Sequence, residues 1–246
     1  MGFYEEFSKY YDYVFPTGDP QLNFIKKRIT DSTNTILDIA SGTGNYAIAL
    51  AEKGFDISAI DLDKGMIEET KVKAKEKGIL LNTYVGDMKE LDKHFQRETF
   101  DVVFCIGNSL VHLTQLEEIQ QTLNQMYYIL KEGGNLLLQI INYDKIIQYN
   151  IDGLPTIENK EVGVKFIRKY VYEEEKRLIH FNTELIVTKG EEEAVYRNSV
   201  PLYPLQSQQL IGMLQNAGFK TIDLFGGFQE EPYKEESYGI VVAAKK

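Results

Sequence analysis

One stretch constrains this chain more than any other: Ile36-Leu37-Asp38-Ile39-Ala40-Ser41-Gly42-Thr43-Gly44-Asn45. An apolar run carrying an acid near its end meets a Gly-x-Gly turn, and a helical pattern follows. This predicts a buried β-strand, a tight turn and a helix. Glycines let the backbone come close to a ligand, and the first turn of a helix offers free N–H groups. The stretch therefore suits a nucleotide-like cofactor.

The rest of the chain repeats the same alternation. Strands are expected at 35–39, 56–60, 80–85, 100–106 and 135–141, with helices at 45–53, 63–77 and 114–131. Such alternation predicts a parallel sheet with helices on both faces, which binds ligands at the carboxyl ends of its strands. The polar or glycine-rich groups at 38–44, 61, 86–88 and 106–109 all fall at those ends.

Beyond 141 the period changes to two. Val162 to Tyr172, Leu178 to Val187 and Ala194 to Val200 read as strands separated by charged turns, so 145–200 is expected to form an inserted antiparallel lobe over the substrate site. A helix at 207–216 and an antiparallel strand pair at 219–225 and 238–244 close the chain. The expectation is one α/β domain over 1–246. Before the first strand, Phe3, Tyr4, Phe7, Tyr10 and Tyr11 have the spacing of a short amphipathic helix, either packed on the domain edge or forming a lid that lays Tyr11 on the cofactor. Asp19 is expected to cap a helix from Pro20 to about Ile29.

Bulk properties narrow the function. A net charge of −10 opposes a broad nucleic-acid surface, which would need clustered Lys and Arg. No apolar run reaches the roughly 18–20 residues of a membrane helix. Met1-Gly2-Phe3-Tyr4-Glu5-Glu6 does not read as a secretory leader. One cysteine, Cys105, and three scattered histidines predict neither an internal disulfide nor a metal site. A cytoplasmic protein without metal is expected.

Gly42-Thr43-Gly44-Asn45-Tyr46-Ala47 fits the dinucleotide pattern G-x-G-x-x-G/A, with Asp61 about 20 residues on, and taken alone suits NAD. Three features favour S-adenosyl-L-methionine: Asp38 inside the strand end, a further acid in Gly86-Asp87-Met88, and the closing antiparallel strands. With these residues the stretch resembles motif I of the class I S-adenosylmethionine-dependent methyltransferases, with Ala40 where the family has its first glycine. The resemblance continues through Ala59-Ile60-Asp61-Leu62-Asp63-Lys64-Gly65-Met66 and Leu130-Lys131-Glu132-Gly133-Gly134. It implies a Rossmann-like seven-stranded sheet whose last strand is antiparallel. It also implies that Asp61 takes the ribose hydroxyls, that Leu62 and Met66 flank the adenine, and that Asp87 and the Met88 backbone meet its polar edge. Ala40, Gly42 and Gly44 would line the methionine part and ribose, Asp38 would orient the loop, and Ile106 would close the site.

Ile106-Gly107-Asn108-Ser109-Leu110-Val111-His112-Leu113 is similar to the G-N-S-x-x-H-L segment of glycine and sarcosine N-methyltransferases. Ile141-Asn142-Tyr143-Asp144 resembles their R-N-Y-D, and Val200-Pro201-Leu202-Tyr203-Pro204 their late Y-Y-P. By that resemblance Asn108 contacts the acceptor. Tyr11, Tyr143 and Tyr203 are read as offering ring faces or hydroxyls to the sulfonium and acceptor, with packing as the alternative. The arginine does not carry over, because position 141 is Ile. A carboxylate entering a dry site needs a cation or several donors. Glycine and sarcosine then require Arg168, Arg197 or another cation from the lobe. His112 is read as an orienting or cofactor-contact group, with packing and general base as alternatives. The expected activity is methyl transfer to a small-molecule amine. The alternatives are O-methylation and cofactor binding without catalysis.

Overall fold

The computed structural model describes residues 3–30 and 35–246, with Tyr4 and Glu5 by their backbone alone; Met1 and Gly2 of the leader reading lie outside the described residues. Three short helices come first: α1 (Phe3–Ser8), α2 (Tyr11–Val14) and α3 (Asp19–Lys26). The aromatic segment is thus two helices, broken at Lys9 and Tyr10, where one had been expected. Asp19 is the first residue of α3 and not its cap; Gly18 holds that position and Pro20 follows, where its missing N–H costs nothing.

The alternating part follows as β1 (Ile36–Ile39), α4 (Asn45–Ala51), β2 (Ile57–Asp61), α5 (Lys64–Glu76), β3 (Asn82–Val85), β4 (Phe100–Cys105), α6 (Leu116–Ile129) and β5 (Leu130–Ile141). Two 3-10 helices, Met88–Lys93 and Ser109–His112, lie after β3 and β4. β5 begins at Leu130, so Gly133 and Gly134 lie inside a strand that had been expected to start at Asn135. Next come α7 (Tyr143–Gln148), four strands β6 (Gly153–Asn159), β7 (Val164–Glu173), β8 (Leu178–Lys189) and β9 (Glu192–Leu202), then α8 (Ser207–Ala217), β10 (Thr221–Phe225) and β11 (Gly239–Lys245).

Seven strands form one sheet in the order β10-β11-β5-β4-β1-β2-β3. β1 to β5 run parallel, and β11 is antiparallel to both β5 and β10. The strand order reverses between β1 and β4, which opens a crevice at their carboxyl ends. Side-chain alternation builds two cores. Leu37, Val103, Leu136 and Ile240 face α6 and α8, while Ile36, Val102, Phe104 and Val241 face α3 and α4.

The lobe is a separate four-stranded meander, β6-β7-β8-β9, with one more strand than the sequence pattern suggested. β6 was illegible because its burial follows no clean alternation and its pairing with β7 shifts register between Leu154 and Ile157. The lobe joins the main core at one end through Tyr170, Ile179 and Leu202. At the other end Val164, Phe166, Leu185 and Val187 pack against Phe7 and Val14 of the N-terminal helices. Phe166 is stacked on Phe7 at 5.0 Å and meets Phe15 edge-on at 5.9 Å. Deleting a large buried ring of this kind costs about 3–5 kcal/mol. Phe166→Ala is therefore expected to lower the melting temperature and expose residues 8–18 to limited proteolysis, while a substitution at exposed Tyr172 leaves that cleavage rate unchanged.

Candidate active site

The loop after β1 is held in an unusual backbone conformation. Ala40 (φ 55°), Gly42 (φ 57°) and Gly44 (φ 74°) are all left-handed. Glycine adopts this without cost, whereas Ala40 sacrifices about 1–2 kcal/mol. The two glycines also answer to crowding. A β-carbon on Gly44 would lie 2.4 Å from Thr70 Cγ2, and one on Gly42 would lie 3.3 Å from the Tyr11 hydroxyl. The glycine side of the turn therefore faces protein: α5 at Gly44 and the N-terminal helices at Gly42.

Asp38 is 3% exposed at the end of β1. Its Oδ2 has no hydrogen-bond partner, and neither has the buried Ser41 Oγ three residues on. Burial, and then the charge of Asp61, hold the Asp38 carboxyl well above the usual range, against one hydrogen bond from the Ala47 backbone in the first turn of α4. Asp61, at the end of β2, accepts from the Gly42 amide at 2.8 Å and the Asp63 amide at 2.9 Å. It ties the two loops together, and burial raises its pKa. The capping of α5 falls to Asp63, which accepts from Met66 N at 3.0 Å.

The N-terminal helices close over this loop. Burial first, then the charges of Asp61 and Asp38, raise the pKa of Tyr11 and mark it as their neighbour. Next to it, Asp12 accepts from Thr43 Oγ1 and Asn45 Nδ2, each at 2.8 Å, and pairs with Lys73 Nζ at 2.6 Å. Burial pushes the Asp12 carboxyl up, but the hydrogen bonds from Lys73, Thr43 and Asn45 outweigh it and the net shift is downward. Asp12 and Lys73 were not read from the sequence: they are 61 positions apart and belong to no motif.

Along the crevice, Asp87 follows β3 and accepts from Lys89 N at 2.9 Å, capping the 3-10 helix that begins at Met88. Met66 and Ile106 are buried, whereas Leu62 is 70% exposed. A leucine that open beside a crevice leaves apolar surface for a ligand to cover.

A second polar group is built after β4 and β5. Asn108 (φ 70°) precedes the second 3-10 helix without capping it. Its Oδ1 accepts from Ile141 N at 2.9 Å and its Nδ2 donates to the Tyr143 hydroxyl at 3.0 Å. Tyr143 is completely enclosed, so its expected direct contact with an acceptor is corrected: its hydroxyl is spent on Asn108, and it stands behind that residue. Tyr203 returns from the lobe against the 3-10 helix, its amide donating to Val111 O at 2.8 Å. The His112 ring is reached by solvent although crowding protein atoms lower its pKa by desolvation; the shift reflects a crowded rim and not an enclosed core. Asn142 and Asp144, on either side of Tyr143, serve structure. Asn142 caps α7, and Asp144 accepts from Ser207 N at 2.8 Å and the Tyr233 hydroxyl at 2.9 Å, fixing the start of α8.

A seven-stranded sheet of this order, with acids at the ends of its first three strands, defines a methyltransferase fold. The family model described as "Methyltransferase domain" matches residues 36–134. The glycine/sarcosine N-methyltransferase of Aphanothece halophytica is 31% identical over 223 residues, covering 91% of this chain and 80% of that protein. The chain belongs to the class I S-adenosylmethionine-dependent methyltransferases, and S-adenosyl-L-methionine is its cofactor. The structure of an S-adenosylmethionine-dependent methyltransferase from Clostridium acetobutylicum has a TM-score of 0.83 at 20% identity, over 98% of each chain. An S-adenosylmethionine-bound amino pentose methyltransferase from Micromonospora echinaspora has a TM-score of 0.70 at 19% identity, over 92% of this chain and 88% of that one.

The residues present fit that cofactor. An unpartnered buried carboxylate oxygen and an unpartnered hydroxyl beneath the loop suit a cationic, hydrogen-bonding ligand, and Leu62 offers apolar cover. Two predictions follow from the strain and charge at this site. Ala40→Gly relieves about 1 kcal/mol and is expected to raise the melting temperature by roughly 2–4 °C, measured by calorimetry. Asp38→Asn removes a buried carboxyl whose Oδ2 has no partner and whose ionised form is disfavoured, worth about 1–3 kcal/mol, and is expected to stabilise the ligand-free protein while weakening S-adenosylhomocysteine binding. The folded protein holds the Asp38 proton more tightly than the unfolded chain does. Wild-type stability from this group is therefore greatest below the unfolded carboxyl range and declines as pH rises towards the folded value. The advantage of Asp38→Asn should be larger at pH 8 than at pH 5; the reverse order would contradict the assignment.

Proposed function

We propose that this enzyme transfers a methyl group to the amine nitrogen of a small-molecule acceptor. The observation that carries this is the state of Asn108. Its side chain is fixed from both sides: Oδ1 accepts from Ile141 N at 2.9 Å and Nδ2 donates to the Tyr143 hydroxyl at 3.0 Å, while that hydroxyl reaches Oδ1 only at a long 3.4 Å, a contact that an amine N–H can replace. The glycine/sarcosine activity named for the Aphanothece relative and the amino pentose named for the Micromonospora structure are both consistent with nitrogen as nucleophile.

When bound, the cofactor supplies an electrophilic methyl on a sulfonium with a neutral leaving group. The chain's task is then to bind, orient and exclude water. Asp38, Ala40, Gly42, Gly44 and Asp61 hold the loop against the methionine and ribose end. Leu62, Met66, Asp87, Met88 and Ile106 take the adenine end, and Tyr11 closes over Gly42. Orientation of a nucleophile can supply on the order of 7–11 kcal/mol in the best cases. A neutral amine sheds its proton after transfer, so no general base is required at the nitrogen. Glycine itself is a poor candidate, because Ile141 offers a carboxylate neither charge nor side-chain donor.

O-methylation is the second reading, and His112 is the observation that favours it. Its lowered pKa leaves a neutral imidazole at pH 7, able to take a proton from a hydroxyl. Rates with labelled cofactor over matched amine and hydroxyl acceptors decide between them, with the position of the methyl read by NMR. Asn108→Ala is expected to lower kcat/KM for amines by about 100-fold while S-adenosylhomocysteine binding persists. His112→Gln should leave the pH profile tied to the amine's own titration. Product methylated on oxygen, with an acid limb that disappears in His112→Gln, would refute the amine reading.

A further inference from the structure

The lobe carries one polar row across an otherwise apolar inner face. Register places Arg168 opposite Thr183, and Thr183 opposite Asn198. Directly paired residues share a face of the sheet. The row on one side is Phe166, Leu185 and Tyr196, and that on the other is Tyr170, Phe181 and Val200. Arg197, one position from Asn198, points to the outer face and pairs with Glu184 at 2.9 Å.

Arg168 is the unusual member. Its Nε is buried without a partner, and its Nη2 donates to the carbonyl of Pro155. Among the described residues neither it nor the exposed Arg177 has a carboxylate partner, whereas Arg28, Arg97 and Arg197 each pair with a glutamate. Thr183 beside it is 3% exposed and makes no side-chain hydrogen bond to a described residue. A buried guanidinium nitrogen without a partner leaves its desolvation uncompensated, and an anion would offset that cost.

Position along β7 says where that anion comes from. Residues two apart on one face of a strand stand about 7 Å from each other. On one side of Arg168, Phe166 joins the aromatic cluster of Phe7, Tyr11 and Phe15, which ends on Gly42 of the cofactor loop. On the other, Tyr170 joins the main core that also encloses Tyr143, and Tyr143 holds Asn108. Along β7, Arg168 thus stands between the residue that packs toward Gly42 and the residue that packs toward Tyr143, the support of Asn108.

We propose that Arg168, with Thr183 beside it, binds a carboxylate on the acceptor, and so selects an amine that carries an acid group. The inference rests on the methyl-transfer reading above. It explains why the end of β5 can afford Ile141: the anion anchor stands on the lobe instead. One guanidinium balances a singly charged carboxylate, while a phosphate would call for further cations. The two anchors also set length, because the acceptor must span from Arg168 on the inner face of the lobe to Asn108.

The test measures initial rates with labelled cofactor on pairs that differ only in the carboxylate: phenylalanine with phenethylamine, tyrosine with tyramine, and histidine with histamine. The acid member is expected to be preferred by roughly 100-fold in kcat/KM. Arg168→Lys loses most of that preference through KM, because an ammonium lacks the bidentate fork, and Arg168→Met loses all of it. Calorimetric binding of S-adenosylhomocysteine persists in both variants and reports an intact fold. Arg197→Gln keeps the wild-type preference. Equal use of acid and amine members, a preference kept in Arg168→Met, or preference for glucosamine 6-phosphate over glucosamine without one for carboxylates would each overturn the proposal. So would absence of turnover across both acid and amine members. Transfer to hydroxyl acceptors with the carboxylate preference kept would remove the amine reading and leave the role of Arg168. Amine methylation without that preference would do the reverse.

Discussion

A single carboxylate organises the cofactor end of the sheet. Asp61 accepts from the amides of Gly42 and Asp63, and so ties the loop after β1 to the loop after β2. Both loops leave the carboxyl ends of neighbouring parallel strands, beside the crevice where strand order reverses between β1 and β4. The strained backbone at Ala40, Gly42 and Gly44 persists because it is fixed on every side. Asp61 holds it from β2, Thr70 donates to Gly42 O from α5, and the Asp12–Lys73 clamp presses the N-terminal helices down on Thr43 and Asn45. Strain of this kind survives only where the surroundings over-determine it.

The same economy places Asp38 and Ser41 beneath the loop with unpartnered oxygens. Buried polar atoms without partners cost stability, and proteins concentrate that cost at their sites. The N-terminal aromatic helices and the lobe then form one continuous cover. Phe7 and Phe15 meet Phe166, Tyr11 meets Gly42, and Tyr203 returns to Val111 beside Asn108. The loop after β1, the N-terminal helices and the lobe are thus joined by direct contacts.

Much of this was legible in the sequence because it is local. The five β-α alternations, the acids at strand ends and the closing antiparallel pair follow from periodicity and from turn residues. The positions of Asp38, Gly42, Asp61 and Asp87 at the carboxyl end of the sheet were legible for the same reason, since each lies within a few residues of a predicted strand end. β6 was missed because a register shift erased its alternation. The role of Tyr143 was misread because burial depends on what packs around it. The Asp12–Lys73 clamp left no local trace at all.

The sequence by itself therefore determined the sheet, the cofactor end and the class of chemistry, because these depend on short-range patterns and on where parallel strands stop. Only the tertiary structure decided which groups remain available there. It spent Tyr143 on Asn108 and Asp144 on the start of α8. It turned Arg197 outward to Glu184 and left Arg168 inward, on the polar row of the lobe. Two arginines in one lobe look alike in a sequence. Strand register puts them on opposite faces, since each step along a strand reverses the side chain's direction.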